Sequence, residues 1–325
     1  MFRKMNNNVF TYINKPVLNI KYIVKYLSLF FLDFFLLFIL FFKKSNNNKT
    51  KYSASICAIF KDESRFIKEW IEYHQLIGID HIFLYNNQSS DAFIEVLDPY
   101  LKVNYVTLIN WPFEQGQFSA YKHWYDNFSK LTSWVSFLDI DEFICPFFDI
   151  SIKDWLLKFK NYPCILMYWK MFGTSGKLNH DFDKLVIDQY TVSWDKLYVV
   201  GKVFYNTNFR IAIFDSTVHH ETQTVFEILG LKIIIPPINE FKYFVKWNIH
   251  RIGLRDASHF TIQINHYWSK AFDIYSAKAI KSDVAFKNNP KKSRSYFLLH
   301  ERQNRAVDFK IYRFLIDLKE KLNIR

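Results

Sequence analysis

Trp134-Val-Ser-Phe-Leu-Asp-Ile-Asp-Glu-Phe143 decides how this chain is read. An apolar run, Trp134 to Leu138, breaks off into three carboxylates, Asp139, Asp141 and Glu142. A short apolar run with β-branched and aromatic residues has the pattern of a fully buried central strand. Carboxylates directly after it stand at the strand's carboxyl end, where open α/β sheets place their ligands. An Asp-x-Asp pair there can hold one hard divalent cation and leave positions open for phosphate oxygens. An acidic turn that simply leaves the sheet would look the same in isolation, so the flanking sequence has to discriminate.

Working outward, strands and helices alternate. Residues 53–60 read as a strand, followed by a helix over 61–76 in which Phe66, Ile67, Trp70, Ile71, Tyr73 and Leu76 recur at helical spacing. A second strand covers 81–85, and 86–91 is a turn into a helix with Ser89 or Ser90 at its N-cap. A third strand covers 103–108, and 115–128 is helical, leading into the central strand. This alternation predicts a mainly parallel sheet with right-handed crossovers. Residues 61–63 and 86–91 then share an edge with Asp139 and Asp141.

Beyond Trp169 the pattern weakens. Trp169-Lys-Met-Phe-Gly-Thr-Ser-Gly176 suits either a loop closing over a polar ligand or an ordinary strand exit. Val218-His-His-Glu221 can supply metal ligands or a base; read as a strand, it points its two histidines to opposite faces. Residues 262–268 alternate like a strand carrying His266, ahead of a helix over about 269–286. Residues 308–322 form a basic amphipathic terminal helix, suited to packing or membrane contact.

The chain has 325 residues, half of them hydrophobic, enough for a sizeable core. Its net charge of +12 suits anionic partners. The basic residues are spread out, densest over 287–305, and no nucleic-acid recognition motif is present, so no nucleic-acid partner is expected. Cys57, Cys145 and Cys164 are widely spaced and odd in number, the pattern of buried thiols and not of a disulfide framework or zinc site.

Residues 1–50 form a separate segment. Fourteen of the 17 residues from Tyr26 to Phe42 are Leu, Ile or Phe. They favour insertion by roughly 4–8 kcal/mol against about 3 for Asp33. The block is somewhat short of a ~30 Å hydrocarbon core and has lysines on both sides. A single-pass span and a helix lying on the membrane are both open. The expected organisation is 1–50 membrane-associated segment and linker, 51–286 catalytic domain in the cytoplasm, and 287–325 basic helical tail.

Five stretches together resemble the glycosyltransferase family 92-like group of the GT-A (nucleotide-diphospho-sugar transferase) fold, over roughly residues 53–285. They are Ile56-Cys-Ala-Ile-Phe-Lys-Asp-Glu63 with Glu69-Trp-Ile-Glu-Tyr-His74, the stretch from Gly78 to Asp91, Trp134 to Phe143, Tyr168 to Gly176, and Ile264-Asn-His-Tyr-Trp268. The resemblance implies an inverting hexosyltransferase using a nucleotide sugar, UDP-linked, with Mn²⁺ or Mg²⁺. Its acceptor would be a glycan or glycolipid, in surface polysaccharide or lipopolysaccharide synthesis. It further implies that Asp139 and Asp141 engage the metal, with Asp139 also near the ribose, and that His266 is a further ligand. Lys61, Glu63, Asn86 and Asp91 would lie at the donor, and Trp169, Gly173 and Ser175 at the acceptor. The chain departs from the family pattern in carrying Asn86 for the usual acid and Gln88 for the usual glycine.

The chemistry fits. A leaving diphosphate needs its charge neutralised, which a metal does as a Lewis acid. An inverting displacement also needs a base on the acceptor hydroxyl. Glu221 is the candidate and Asp181 the alternative; Glu142 is expected to point away. Two other classes compete. A haloacid-dehalogenase-type phosphohydrolase also places Asp-x-Asp after an apolar strand, but wants Thr or Val where Phe143 stands, and on the first strand. A non-catalytic, membrane-associated glycan-binding protein would keep the acidic cluster without turnover.

Overall fold

The computed structural model describes residues 20–42, 49–215, 217–228, 230–246, 249–250, 259–280 and 293–324. Helix α1 (Ile20–Phe42) precedes the domain. Strands and helices then alternate as expected: β1 (Tyr52–Phe60), α2 (Ser64–Leu76), β2 (His81–Asn86), α3 (Phe93–Lys102), β3 (Val106–Asn110), α4 (Gln117–Phe128) and β4 (Thr132–Phe137). The third strand starts at Val106, because 103–105 complete the turn after α3. Next come β5 (Glu142–Pro146), α5 (Ile152–Leu157), β6 (Cys164–Met171), α6 (Val186–Gln189), β7 (Val192–Trp194) and β8 (Tyr198–Asn206). Three short strands, β9 (Arg210–Ile211), β10 (Thr224–Ile228) and β11 (Leu231–Ile235), make a small antiparallel sheet. The chain finishes with β12 (Ile238–Asn239), β13 (Ile262–His266), α7 (Phe272–Ile280), α8 (Arg294–Glu301), β14 (Asn304–Val307) and α9 (Leu315–Leu322). The rest of the helix expected over 269–286, and most of the linker before Thr50, lie outside the described residues.

The main sheet runs β3-β2-β1-β4-β8-β6-β13-β5, with β12 beside the start of β6. Strands β1 to β4 are parallel. Strand β8 runs against β4 and β6, and β5 runs against β13, while β13 is parallel to β6. This is the mainly parallel α/β architecture, with an N-terminal apolar helix, that the GT-A expectation requires. The registers Cys57↔Phe137 and Phe60↔Asn86 bring the carboxyl ends of β1, β2 and β4 to one edge.

Burial follows the sequence pattern. Strand β1 is buried from Ala54 to Phe60, and α2 buries Phe66, Ile67, Trp70, Ile71 and Tyr73 against the sheet. At about 25 cal/mol per Å² of apolar area, such side chains supply most of the favourable term. Two glycines are required by their surroundings. Gly78 ends α2 with φ +94°, and a Cβ there would meet Ser151 Oγ at 2.7 Å. A Cβ on Gly201 would lie 1.8 Å from the Met167 carbonyl oxygen, where β8 pairs with β6. All three cysteines are free and buried.

Residues after 293 pack back on the domain. Strand β14 pairs with β7, Leu318 of α9 is fully buried, and Lys321 pairs with Glu72 of α2 at 2.9 Å. Buried Glu69 ties α2 to α6, its carboxylate accepting from the Val186 amide at 2.8 Å and the Ile187 amide at 3.1 Å. Burial pushes the Glu69 carboxyl up from 4.5 to about 7, over the pull of those two amides. The folded chain therefore holds this proton more tightly than the unfolded one. Its contribution to stability is complete below 4.5 and is lost as pH rises through about 7. The urea midpoint of the native chain should fall across that window, and in Glu69→Gln the fall should shrink; an unchanged slope would assign the titration to another group.

Candidate active site

Strand β4 ends at Phe137, and the Leu138 amide still bonds to the Cys57 carbonyl at 3.1 Å. The chain thus leaves the sheet beside the carboxyl end of β1 and turns sharply. The Glu142 amide donates to the Asp139 carbonyl at 3.1 Å, and the Asp139 amide to Glu142 Oε2 at 3.0 Å. This back-bonding turns Glu142 into the site, contrary to the sequence expectation that it points away. Its other oxygen accepts from Trp169 Nε1 at 2.8 Å, and its backbone carbonyl accepts from Trp70 Nε1 at 2.8 Å.

A fully buried lysine holds the turn. Lys202, on β8, reaches Asp139 Oδ2 at 3.0 Å and Glu142 Oε2 at 3.3 Å. Burial works against its ammonium, but Asp139 and Glu142 more than restore it, so the group is raised above its ordinary range. Gln117, at the start of α4, donates to Asp139 Oδ1 at 3.0 Å. Asp139 therefore has one oxygen on an amide and the other on an ammonium.

Asp141 has different partners. It is 5% exposed; Lys278 Nζ of α7 lies 2.8 Å from Oδ2, and His266 Nε2 of β13 lies 3.5 Å from Oδ1. Burial opposes the carboxylate, yet Lys278 and His266 outweigh it and hold the carboxyl well below its ordinary range. Burial lowers His266 against the pull of Asp141. Backbone bonds clamp this corner, the Tyr267 amide to the Asp141 carbonyl at 2.8 Å and the Phe172 amide to the His266 carbonyl at 3.0 Å.

Of the three residues expected at a metal, the structure thus joins Asp141 and His266 and turns Asp139 toward Lys202 and Gln117. Among the described residues no group of three or more His, Cys, Asp and Glu side chains converges as a cage. The donor chemistry still fits a cation held by two protein ligands. A carboxylate kept ionised faces an imidazole lowered toward its neutral, ligating form. His266 Nε2 is the nitrogen that faces Asp141, while Nδ1, buried and without a hydrogen bond among the described residues, lies 4.0 Å from Glu142 Oε1.

The donor-side residues lie on the same edge, in supporting contacts. Asp91 accepts from the Ser64 amide at 2.8 Å, at the first residue of α2. Asn86 accepts from the Ser89 amide at 2.9 Å and donates to Asn110 at 3.2 Å. Glu63 acts electrostatically on Lys270 and Lys278. Lys61 follows the last residue of β1 and is half-buried.

The acceptor-side expectations divide. Trp169 is only 6% exposed, lies parallel to Tyr198 at 6.0 Å, and packs on His266 at 4.7 Å. Its indole N–H is committed to Glu142. The Ser175 hydroxyl accepts from the Thr191 and Val192 amides, each at 3.0 Å. Gly173 is crowded by Asn304, whose Nδ2 would lie 1.8 Å from an added Cβ. Residues 217–220 form a turn and not a strand, so His219 and His220 do not point to opposite faces. Their rings lie 3.8 Å apart, with His220 edge-on to Trp169 at 5.0 Å. Glu221 follows, exposed. Asp181 faces Lys184 at 3.4 Å, with its side chain 40% exposed.

Lys202, Gln117 and Lys278 were missed by the sequence reading. Lys202 had a signal, a lone cation in the otherwise apolar strand Val199-Val-Gly-Lys-Val-Phe204. Gln117 and Lys278 sit on ordinary helical faces and carry none.

The carboxyl edge of this α/β sheet gathers acidic and cationic side chains, the place and polarity of a candidate ligand site. The particular family follows from comparison. The chain belongs to glycosyltransferase family 92, whose family model matches residues 50–227. It is 36% identical over 94 residues to a family 92 protein of Oryza sativa subsp. japonica, covering 29% of this chain and 16% of that one. Against a family 92 protein of Arabidopsis thaliana it is 30% identical over 102 residues, 31% of this chain and 18% of that one. The match therefore spans less than a fifth of each relative's length. Among solved structures, S. aureus TarS 1–349 in complex with UDP shares 13% identity over 48% of this chain and 47% of that one, with a TM-score of 0.33. Glucosyl-3-phosphoglycerate synthase from Mycobacterium tuberculosis, with Mn²⁺ and UDP, shares 14% over 36% and 44%, with a TM-score of 0.27. No residue correspondence follows at these scores.

Lys202→Met would remove the ammonium between Asp139, whose side chain is partly exposed, and Glu142, whose carboxyl burial pushes up to about 8 and which can therefore take a proton. Breaking a buried pair by removing one partner costs roughly 3–5 kcal/mol, and urea denaturation should show a loss toward the lower end of that range. Adding Glu142→Gln should recover part of it. No loss, or no recovery, would mean that Lys202 does not hold the turn.

Proposed function

We propose that this chain binds a nucleotide sugar, UDP-linked, at the carboxyl edge of the sheet and transfers the sugar to a glycan or glycolipid acceptor in surface-glycan synthesis. The observation that carries the reading is the buried Asp141 carboxylate, kept ionised between Lys278 and His266 at that edge. A simple acidic turn has no need of this arrangement, whereas a leaving diphosphate needs cationic charge beside it.

Asp141 and His266 would hold a divalent cation, Mn²⁺ or Mg²⁺. Bound there, the cation supplies Lewis-acid neutralisation of the diphosphate. Lys278, its side chain 49% exposed, adds an ammonium at the same carboxylate. Lys202 and Gln117 fix the Asp139 carboxylate in one orientation, set for the ribose or for the metal's water shell. Glu63 and Asn86 border the donor from the neighbouring strand ends.

In the transfer, an acceptor hydroxyl oxygen bonds to the anomeric carbon as the bond from that carbon to the diphosphate oxygen breaks, and the nucleoside diphosphate leaves with the electron pair. Attack from the opposite face inverts the centre, and the hydroxyl proton passes to a base, for which Glu221 beside the His219–His220 turn is the candidate. Helix α1 associates the protein with a membrane. Its segment Ile23–Phe41 is long and apolar enough to cross one by length and composition.

Calorimetry tests this directly. UDP should bind more tightly with Mn²⁺ than without it, and Asp141→Ala should weaken the Mn²⁺-dependent binding by about ten- to a hundredfold, or roughly 1.4–3 kcal/mol. Folded protein that binds no nucleotide would sink the transferase reading and favour a glycan-binding protein. In the same titrations Lys278→Met should tighten Mn²⁺ several-fold, because it frees an Asp141 oxygen, while weakening UDP in the absence of metal. Unchanged Mn²⁺ affinity would show that Lys278 and the cation do not share that carboxylate.

A further inference from the structure

The end of the sheet opposite the candidate site carries a surface that sugar transfer does not use. The parallel strands β1 to β4 and β6 all begin there. The nine residues of β1, at about 3.3 Å each, set the two poles about 30 Å apart.

Helix α1 docks on the protein along one stripe. Leu29, Leu36 and Leu40 recur at helical spacing and are buried, together with Ile39. Leu36, Ile39 and Leu40 belong to the same core cluster as the sheet, and Leu32 packs against it. Asp33 lies close enough to Tyr162, just ahead of β6, to join burial in raising its hydroxyl. The chain also re-enters the domain at this pole, where Thr50 Oγ1 meets Ser133 Oγ at 2.6 Å.

The opposite stripe of α1 is apolar and outward. Leu27, Phe30, Phe31 and Phe34 are 55–75% exposed. A helix crossing a bilayer alone would face lipid all round, and Leu36 would have to leave the core. One face on the protein and one apolar face outward is the arrangement of a helix lying in the membrane interface. The surrounding pole is basic: Lys51, Lys130 and Lys160 are exposed at the starts of β1, β4 and β6. A second copy of this chain would bring these lysines against its own like charges, whereas anionic headgroups complement them.

We propose that this pole rests on an anionic lipid bilayer, with α1 in the plane of the interface and its phenylalanine face in the acyl region. Lys51, Lys130 and Lys160 then meet headgroup phosphates, and the candidate active site looks away from the membrane. This deepens the membrane association proposed above and does not depend on the donor chemistry.

Sedimentation of the full chain with vesicles tests it, using phosphatidylcholine alone and phosphatidylcholine mixed with phosphatidylglycerol. Joint Lys51→Gln, Lys130→Gln and Lys160→Gln should weaken binding to the anionic vesicles about a hundredfold, from about 1 kcal/mol per basic residue, and erase the preference for them. Thermal unfolding separates the two stripes. Leu36→Ala should lower Tm by roughly 5–10 °C, while Phe34→Ala should leave Tm unchanged and weaken vesicle binding. A Leu36→Ala Tm equal to the native one would overturn the proposal in favour of a spanning helix. Vesicle binding indifferent to the three lysines, with lipid-free dimers lost on Phe34→Ala, would overturn it in favour of a second copy. UDP titration of the same variants should match the native chain; a native chain that bound vesicles but not UDP would count against the transferase reading alone.

Discussion

The constraint on which the site depends is the burial of one ammonium between two carboxyl groups. Lys202 has no exposed surface, and it sits between Asp139 and Glu142. An isolated charge at that depth would cost several kcal/mol, so the three groups persist only together. That mutual dependence sets the shape of the 139–142 turn. With Glu142 drawn inward and Asp139 held on both oxygens, Asp141 is left to face the other way, toward β13 and α7. The edge is thereby divided between one carboxylate held by Lys202 and Gln117 and another paired with Lys278 and His266.

The division also explains why distant parts of the chain have to arrive at this edge. Strand β8 runs antiparallel between β4 and β6, which puts Lys202 beside the end of β4. Gly201 allows it, since a side chain there would collide with the Met167 carbonyl. Strand β13 then inserts between β6 and β5 and pairs His266 with Glu142. Family 92 similarity covers residues 50–227, so the fixed half of the site lies within the matched span and the His266–Lys278 half lies beyond it. The half that would meet the diphosphate is therefore the half for which this chain's own geometry speaks most directly.

Trp169 shows how the place of a side chain and its use can separate. Its position at the edge follows from the strand that carries it, but its indole serves Glu142 and its faces pack on Tyr198 and His266. Ser175 and Gly173 likewise support the loop that carries them. Aromatic and hydroxyl residues near a site serve as walls as readily as contacts, and only the direction of their donors separates the two.

The sequence by itself determined the alternation of strands and helices, the central strand ending at the acidic cluster, and the edge on which residues 61–63, 86–91 and 139–141 meet. Periodicity and apolar runs are local, and a parallel α/β chain with short connections leaves few other ways to bury them. It also marked the apolar amino-terminal helix, because composition alone carries that property. Only the tertiary structure decided which way Glu142 turns, that Lys202 and Lys278 supply the counter-charges, that residues 217–220 form a turn, and that one stripe of α1 belongs to the domain's core. These depend on pairing across 60 to 140 residues, between β4 and β8 or between Asp141 and α7. A lysine's spacing in sequence says nothing about which carboxylate it will reach, since its long side chain is committed only when burial removes the solvent that would otherwise satisfy it.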